Sequence, residues 1–188
     1  MQIRSNSELF SNAWKELDGQ WGIAIGFFLV AAILSAVAGQ ILLTFVIGGA
    51  LSVGQSIFYL NLSRRNNPQI EDLFKGFNSF VTSFLAFWLM GIIIFGGMLL
   101  LIVPGIYWAF CYAMTYWIIA DNPDVKAFDA LSKSKEMMNG HKWKLFRFGL
   151  RAFFWIILGC IPLGLGLLIV MPWISVATAK FYEDIRQE

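Results

Sequence analysis

Apolar positions in this chain fall into long unbroken stretches, and the charged positions are gathered between them. No Asp, Glu, Lys or Arg occurs in residues 19–63 or in residues 76–120. As one continuous helix either stretch would extend about 67 Å, against a hydrocarbon core about 30 Å thick. Each is therefore expected to turn and cross a bilayer twice. In the second stretch Pro104 lacks an N–H and Gly105 tolerates turn geometry, so these two residues are expected at the hairpin tip, between spans at 80–103 and 105–120. The first stretch divides into spans near 21–40 and 44–62. A third apolar region gives spans at 143–161 and 167–182, with Pro162 opening the turn between them.

These six spans fall into three units of one design. In each, an amphipathic stretch leads to a glycine, an aromatic follows within three residues, and a hairpin comes next: Gly19 with Trp21, Gly76 with Phe77, Gly140 with Trp143. Pseudo-repeats are expected at about 5–66, 67–121 and 122–188 within a single membrane domain. Two connectors open alike, with Asn67-Pro68 and Asn122-Pro123. Each reads as an Asn helix cap followed by proline at the first helical position, where the missing donor costs nothing.

Composition agrees with a membrane class: 58% of the residues are hydrophobic, 16% aromatic and only 14% charged, far from the soluble balance. The 14 Lys and Arg residues all lie before span one, between spans two and three, between spans four and five or in the first half of span five, and in the last residues of span six or beyond it. The three opposite turns carry no charge. By the positive-inside rule both termini are expected in the cytoplasm. Residues 9, 10, 13, 14 and 17 repeat apolar character at helical spacing, as do Val125, Phe128 and Leu131 with Ala127, Ala130 and Met138 nearby. Both stretches are read as helices lying in the interface. The fold expected is all-α: a polytopic membrane protein with six transmembrane helices as three hairpin repeats, interfacial amphipathic connecting helices and both termini cytoplasmic.

The stretch "LLLIVPGIYWAFCYAMTYWIIADNPDVKAFDALSKSKEMMNGHKWKLF" from Leu99, with "MPWISVATAKFYEDI" near the end, resembles the bacterial integral-membrane family called domain of unknown function 975. Its paired Pro104-Gly105 and its Ser-Lys-x-x-Met-x-Gly and Phe-Tyr-Glu elements carry the likeness. A weaker resemblance runs to the membrane domain attached to some glycerophosphodiester phosphodiesterases. The first implies a multi-pass protein of the bacterial inner membrane with no established reaction. The second implies a membrane module without the catalytic domain. In the family's pattern a serine stands where this chain has Arg151, so any role of Arg151 is this chain's own.

Chemistry is sparse. His141 is the single histidine, Cys111 and Cys160 fall in different expected spans, and no ligand spacing for a metal or phosphate-cradling loop occurs. No cofactor, no catalytic residue and no nucleic-acid partner is expected. Asp121 and Asp124 read as capping acids, and small pairs such as Gly22 with Gly26 read as helix-packing faces. Lys144, Arg147 and Arg151 are spaced by three and four on one helical face, with Arg151 well inside the fifth span. An intramembrane arginine is costly and turns toward protein or water, or snorkels to the interface. The candidate site is a basic recess of Lys144, Arg147, Arg151 and Lys180 for an anionic lipid head or substrate. The functional expectation is a non-catalytic module that contacts the lipid bilayer, anionic lipids included, or assists a membrane-protein partner. The alternative is a facilitator or transporter of a small anionic or amphiphilic substrate. Oligomeric state is left open.

Overall fold

A computed structural model describes residues 5–37, 41–100, 102–161 and 164–187. In chain order the elements are α1 (Asn6–Leu17), α2 (Trp21–Val37), α3 (Ile41–Ser63), α4 (Asp72–Lys75), a 3-10 turn (Gly76–Ser79), α5 (Phe80–Leu100), α6 (Ile102–Cys111), α7 (Thr115–Asp121), α8 (Ala127–Met137), α9 (Lys142–Cys160) and α10 (Leu167–Arg186). Among the described residues all regular structure is helical.

Among the described residues three helical runs are long and apolar enough to cross a bilayer: Phe45–Ser63, Asp72–Leu99 and Val103–Asp121. A fourth is reached if α1 and α2, which meet at a bend of 100°, are counted together. Alone, the described part of α2 is apolar and 17 residues long. The remaining long helices fall short for a different reason. Lys142, Lys144, Arg147 and Arg151 occupy the first half of α9, and Lys180, Glu183, Asp184 and Arg186 the last part of α10. Charge at one end, not want of length, sets these two apart.

The chain condenses into two compact units, one of Met1–Val37, Phe58–Ile70 and Trp143–Glu188, the other of Ala38–Ile57 and Glu71–Lys142. In the first, α1 lies along α10 and buries Leu9, Phe10, Ala13 and Leu17, while Trp14 stays half exposed. In the second, α8 packs on α5, α6 and α7, burying Ala127, Ala130, Leu131 and Met138 and leaving Phe128 outside. Both amphipathic faces were expected to meet lipid; most of each is instead covered by protein, because a helix at the same level offers apolar surface as effectively as acyl chains do.

Several local expectations are corrected. Pro104 and Gly105 are not the hairpin tip. α5 runs on to Leu100 and α6 begins at Ile102, so Pro104 sits in the first turn of α6, where no hydrogen bond is lost. Gly105 is needed for close approach: a Cβ there would run into Met98 of α5, and its partner Gly97 faces it in turn. Gly159 and Gly166 make the same close approach across the turn from α9 to α10. Gly22 and Gly26, expected on a packing face, have nothing within 4 Å of where a Cβ would stand. Neither Asn-Pro pair caps a helix start. Asn67 takes a left-handed φ of 47° in the loop after α3, and α4 begins only at Asp72. Asn122 is the C-terminal cap of α7, with Pro123 in the turn that follows, and α8 begins at Ala127 behind Lys126. Proline disfavours helical geometry in the residue before it, so Asn-Pro ends one segment as readily as it opens another. Pro162 lies outside the described residues. Of the three glycines that mark the repeat, Gly19 and Gly140 share a left-handed φ, 78° and 86°, after an amphipathic helix and before a long one. Gly76 instead stays helical at φ −59°.

Candidate functional site

The first unit holds the charged cluster. α1 opens with a reciprocal cap: Ser5 Oγ accepts from the Glu8 N–H at 3.3 Å, and the Ser5 N–H donates to Glu8 Oε2 at 2.7 Å. Its apolar face is then fixed on α9 and α10. The Phe10 ring stacks on Phe148 at 4.8 Å and meets Trp173 edge-on at 5.2 Å, while Trp173 Nε1 donates to the Phe10 carbonyl at 2.8 Å. At the start of the helix, Asn6 Nδ2 donates to the Lys144 carbonyl at 3.2 Å.

This seating decides what each cation meets. Lys180 is buried and lies 3.1 Å from Glu16, which also takes the Arg65 guanidinium at 2.7 Å. Burial raises the Glu16 pKa, but the hydrogen bonds from Arg65 and Lys180, reinforced by their charges, outweigh it and hold the carboxyl below the ordinary 4.5. Lys144 pairs with Asp184 at 3.1 Å, its ammonium 5.2 Å from the centre of the Phe181 ring. Arg64 reaches Glu183 at 2.8 Å, and Ser63 Oγ donates to the same carboxylate at 3.1 Å.

The expected four-membered recess therefore divides. Lys144 and Lys180 are neutralised by carboxylates and belong to the packing of the unit. Arg147 and Arg151 have no ion pair among the described residues. They line an open cleft of about 270 Å³ with Asn6 and Ser7, and the Arg151 guanidinium stands 6.0 Å from the centre of the Phe10 ring. A larger open cleft of about 430 Å³ lies at the bend after α1, lined by Gly19, Gln20, Gly22, Ile23, Arg65, Asn67 and Pro68. There the one cation, Arg65, is already committed to Glu16 and to the Lys15 carbonyl at 3.4 Å.

In the second unit one serine has a backbone role that its sequence position does not announce. Between α6 and α7 the helix breaks for three residues, freeing donors and acceptors that an apolar surrounding would penalise. Ser134 of α8 reaches into the gap: its hydroxyl accepts from the Met114 N–H at 3.2 Å and donates to the Cys111 carbonyl at 2.9 Å. Ser134, Met138 and Gly140 are three of the four fixed members of the Ser-Lys-x-x-Met-x-Gly element, Lys135 being the other. Met138 is fully buried and Gly140 takes the left-handed φ that ends the segment.

Residues 92–188 match the family described as "Protein of unknown function (DUF975)", just over half of the chain. The chain belongs to this family. The DUF975 match begins within α5 and includes the α6–α7 break, its plug Ser134, and both arginines of the smaller cleft. Asn6, Ser7 and Glu16 lie outside the matched segment. No curated protein and no solved structure matches the chain. The weaker likeness to the glycerophosphodiester phosphodiesterase membrane domain has no support in these comparisons.

Proposed function

We propose that this chain is a six-crossing protein of the bacterial inner membrane, one domain of three hairpins with both termini in the cytoplasm. It acts as a non-catalytic module that engages lipid or assists other membrane proteins. The observation that carries this reading is the division among the cations of the first unit. Arg64, Arg65, Lys144 and Lys180 are satisfied within the protein. Arg147 and Arg151 are exposed on a helix whose other exposed residues include Trp143, Phe146, Leu150, Phe153 and Phe154. Guanidinium groups on an apolar exposed face have an evident use at the level of lipid phosphates, and little elsewhere. With that level at the charged ends of α9 and α10, the apolar remainder of both helices enters the membrane. The charge that keeps them from standing as independent spans then lies in the headgroup layer.

The test is extraction in native-lipid particles without detergent, followed by mass spectrometry of retained lipids and proteins. Enrichment of anionic lipid over the bulk membrane, or a companion protein at fixed ratio, is the expected result. Bulk lipid composition with no companion would overturn the reading.

A further inference from the structure

We propose that the cleft between α1 and α9 is a seat for one phospholipid of the cytoplasmic leaflet, with Arg147 and Arg151 holding its phosphodiester. This rests on the membrane reading above and names the ligand of that site.

The cleft has the electrostatics of an anion site. Its lining is two guanidinium groups, one amide and one hydroxyl, with no carboxylate. Arg147 and Arg151 are one helical turn apart, on one face and lining one cleft, so a single anion there is within reach of both. Side chains on a helix lean toward its N-terminus, which carries both guanidinium groups up toward the level of Lys144, where Asn6 is anchored. α1 thus supplies the second wall.

What separates a lipid from a soluble phosphate is the surface below the arginines. Continuing the same stripe by steps of three and four gives Phe154, Leu158 and Ile161, which are 59%, 38% and 73% exposed. From Arg147 to Leu158 the helix rises about 16 Å, close to half of a hydrocarbon core about 30 Å thick. A polar head at the top and one leaflet's depth of apolar surface beneath it match an amphiphile. Free phosphate would use only the upper part.

The experiment compares lipid bound to the full chain in nanodiscs of phosphatidylcholine doped with phosphatidylglycerol, read by native mass spectrometry. Each arginine near the surface is worth about fivefold, so R147Q/R151Q is expected to lower phosphatidylglycerol retention about thirtyfold. A charge-matched control, K126Q/K133Q on exposed positions of the α8 segment, is expected to leave retention within twofold. Millimolar inorganic phosphate is expected not to displace the lipid. R151K keeps the charge but not the fork, and is expected to retain an intermediate amount if the double variant does not fold. Equal losses in both double variants would reveal diffuse attraction and overturn the site. Displacement by inorganic phosphate would overturn the lipid assignment. If the wild type retains no phosphatidylglycerol above its bulk share, the membrane-module reading falls first; if retention persists undiminished in R147Q/R151Q, only the site falls.

Discussion

The hydroxyl of Ser134 and the carbonyl of Cys111 are 2.9 Å apart, and through that bond a helix outside the apolar stretch completes the backbone of a broken one inside it. Because the same oxygen also accepts from Met114, Ser134→Ala strands a buried donor and a buried acceptor at once. The expected cost is about 2 kcal/mol, seen as a lower thermal midpoint in detergent micelles. Ser134→Thr, which keeps the hydroxyl, is expected to lose less than Ser134→Ala. Equal midpoints for Ser134→Ala and wild type would remove the plug from the account.

Glu16 stands between Arg65 and the buried Lys180. Its folded pKa is depressed, so its contribution to stability is complete above the ordinary value of 4.5 and is lost as pH falls through the lower folded value. Wild type is expected to lose more thermal stability than Glu16→Gln between pH 7 and pH 3. At neutral pH Glu16→Gln leaves Lys180 without its carboxylate, at roughly 2 kcal/mol, since Glu16 is itself partly exposed. Thermal melts of both proteins across that range measure the two effects together, and parallel curves would contradict them.

Gly105 faces Gly97 so closely that any side chain meets Met98 and its backbone. Gly105→Val is expected to separate α5 from α6, at a cost of about 3 kcal/mol. Gly22→Ala, at a position open on all sides, is expected to stay within 0.5 kcal/mol of wild type. Midpoints for the pair, measured under one condition, check both statements.

The proposed topology is tested by thiol labelling in a background with Cys160 replaced by serine, because that cysteine is exposed and Cys111 is buried. Leu165→Cys, in the turn before α10, is expected to react with an impermeant reagent on intact spheroplasts. Phe128→Cys, exposed on α8, is expected to react only after permeabilisation. The reverse pattern would invert the chain.

Helices near the six expected places were legible because stretch length against bilayer thickness is a strong constraint and needs no knowledge of partners. The amphipathic faces of α1 and α8 were legible too, but not what covers them: lipid and α10 impose the same spacing on Leu9, Phe10 and Ala13. Asn122-Pro123 was misread because a helix end and a helix start ask for the same residues. In the basic cluster, Arg147 and Arg151 could be paired from one turn of spacing. Lys180 meets Glu16, 164 positions away, a pairing that no local pattern reveals. Ser134 belongs to the Ser-Lys-x-x-Met-x-Gly element, yet nothing local tells that its hydroxyl serves groups 20 and 23 residues earlier.

α1 is synthesised long before the helix that seats it. Trp173 and Lys180, which hold its two halves, leave the ribosome some 160 residues after it, at a pace of about 5–20 residues per second. For that interval its apolar face has no α10 to cover it and must wait elsewhere, most simply on the bilayer surface that its pattern also suits. A nascent chain stopped before α10 should thus expose α1 to protease, and release of the finished chain should bury it.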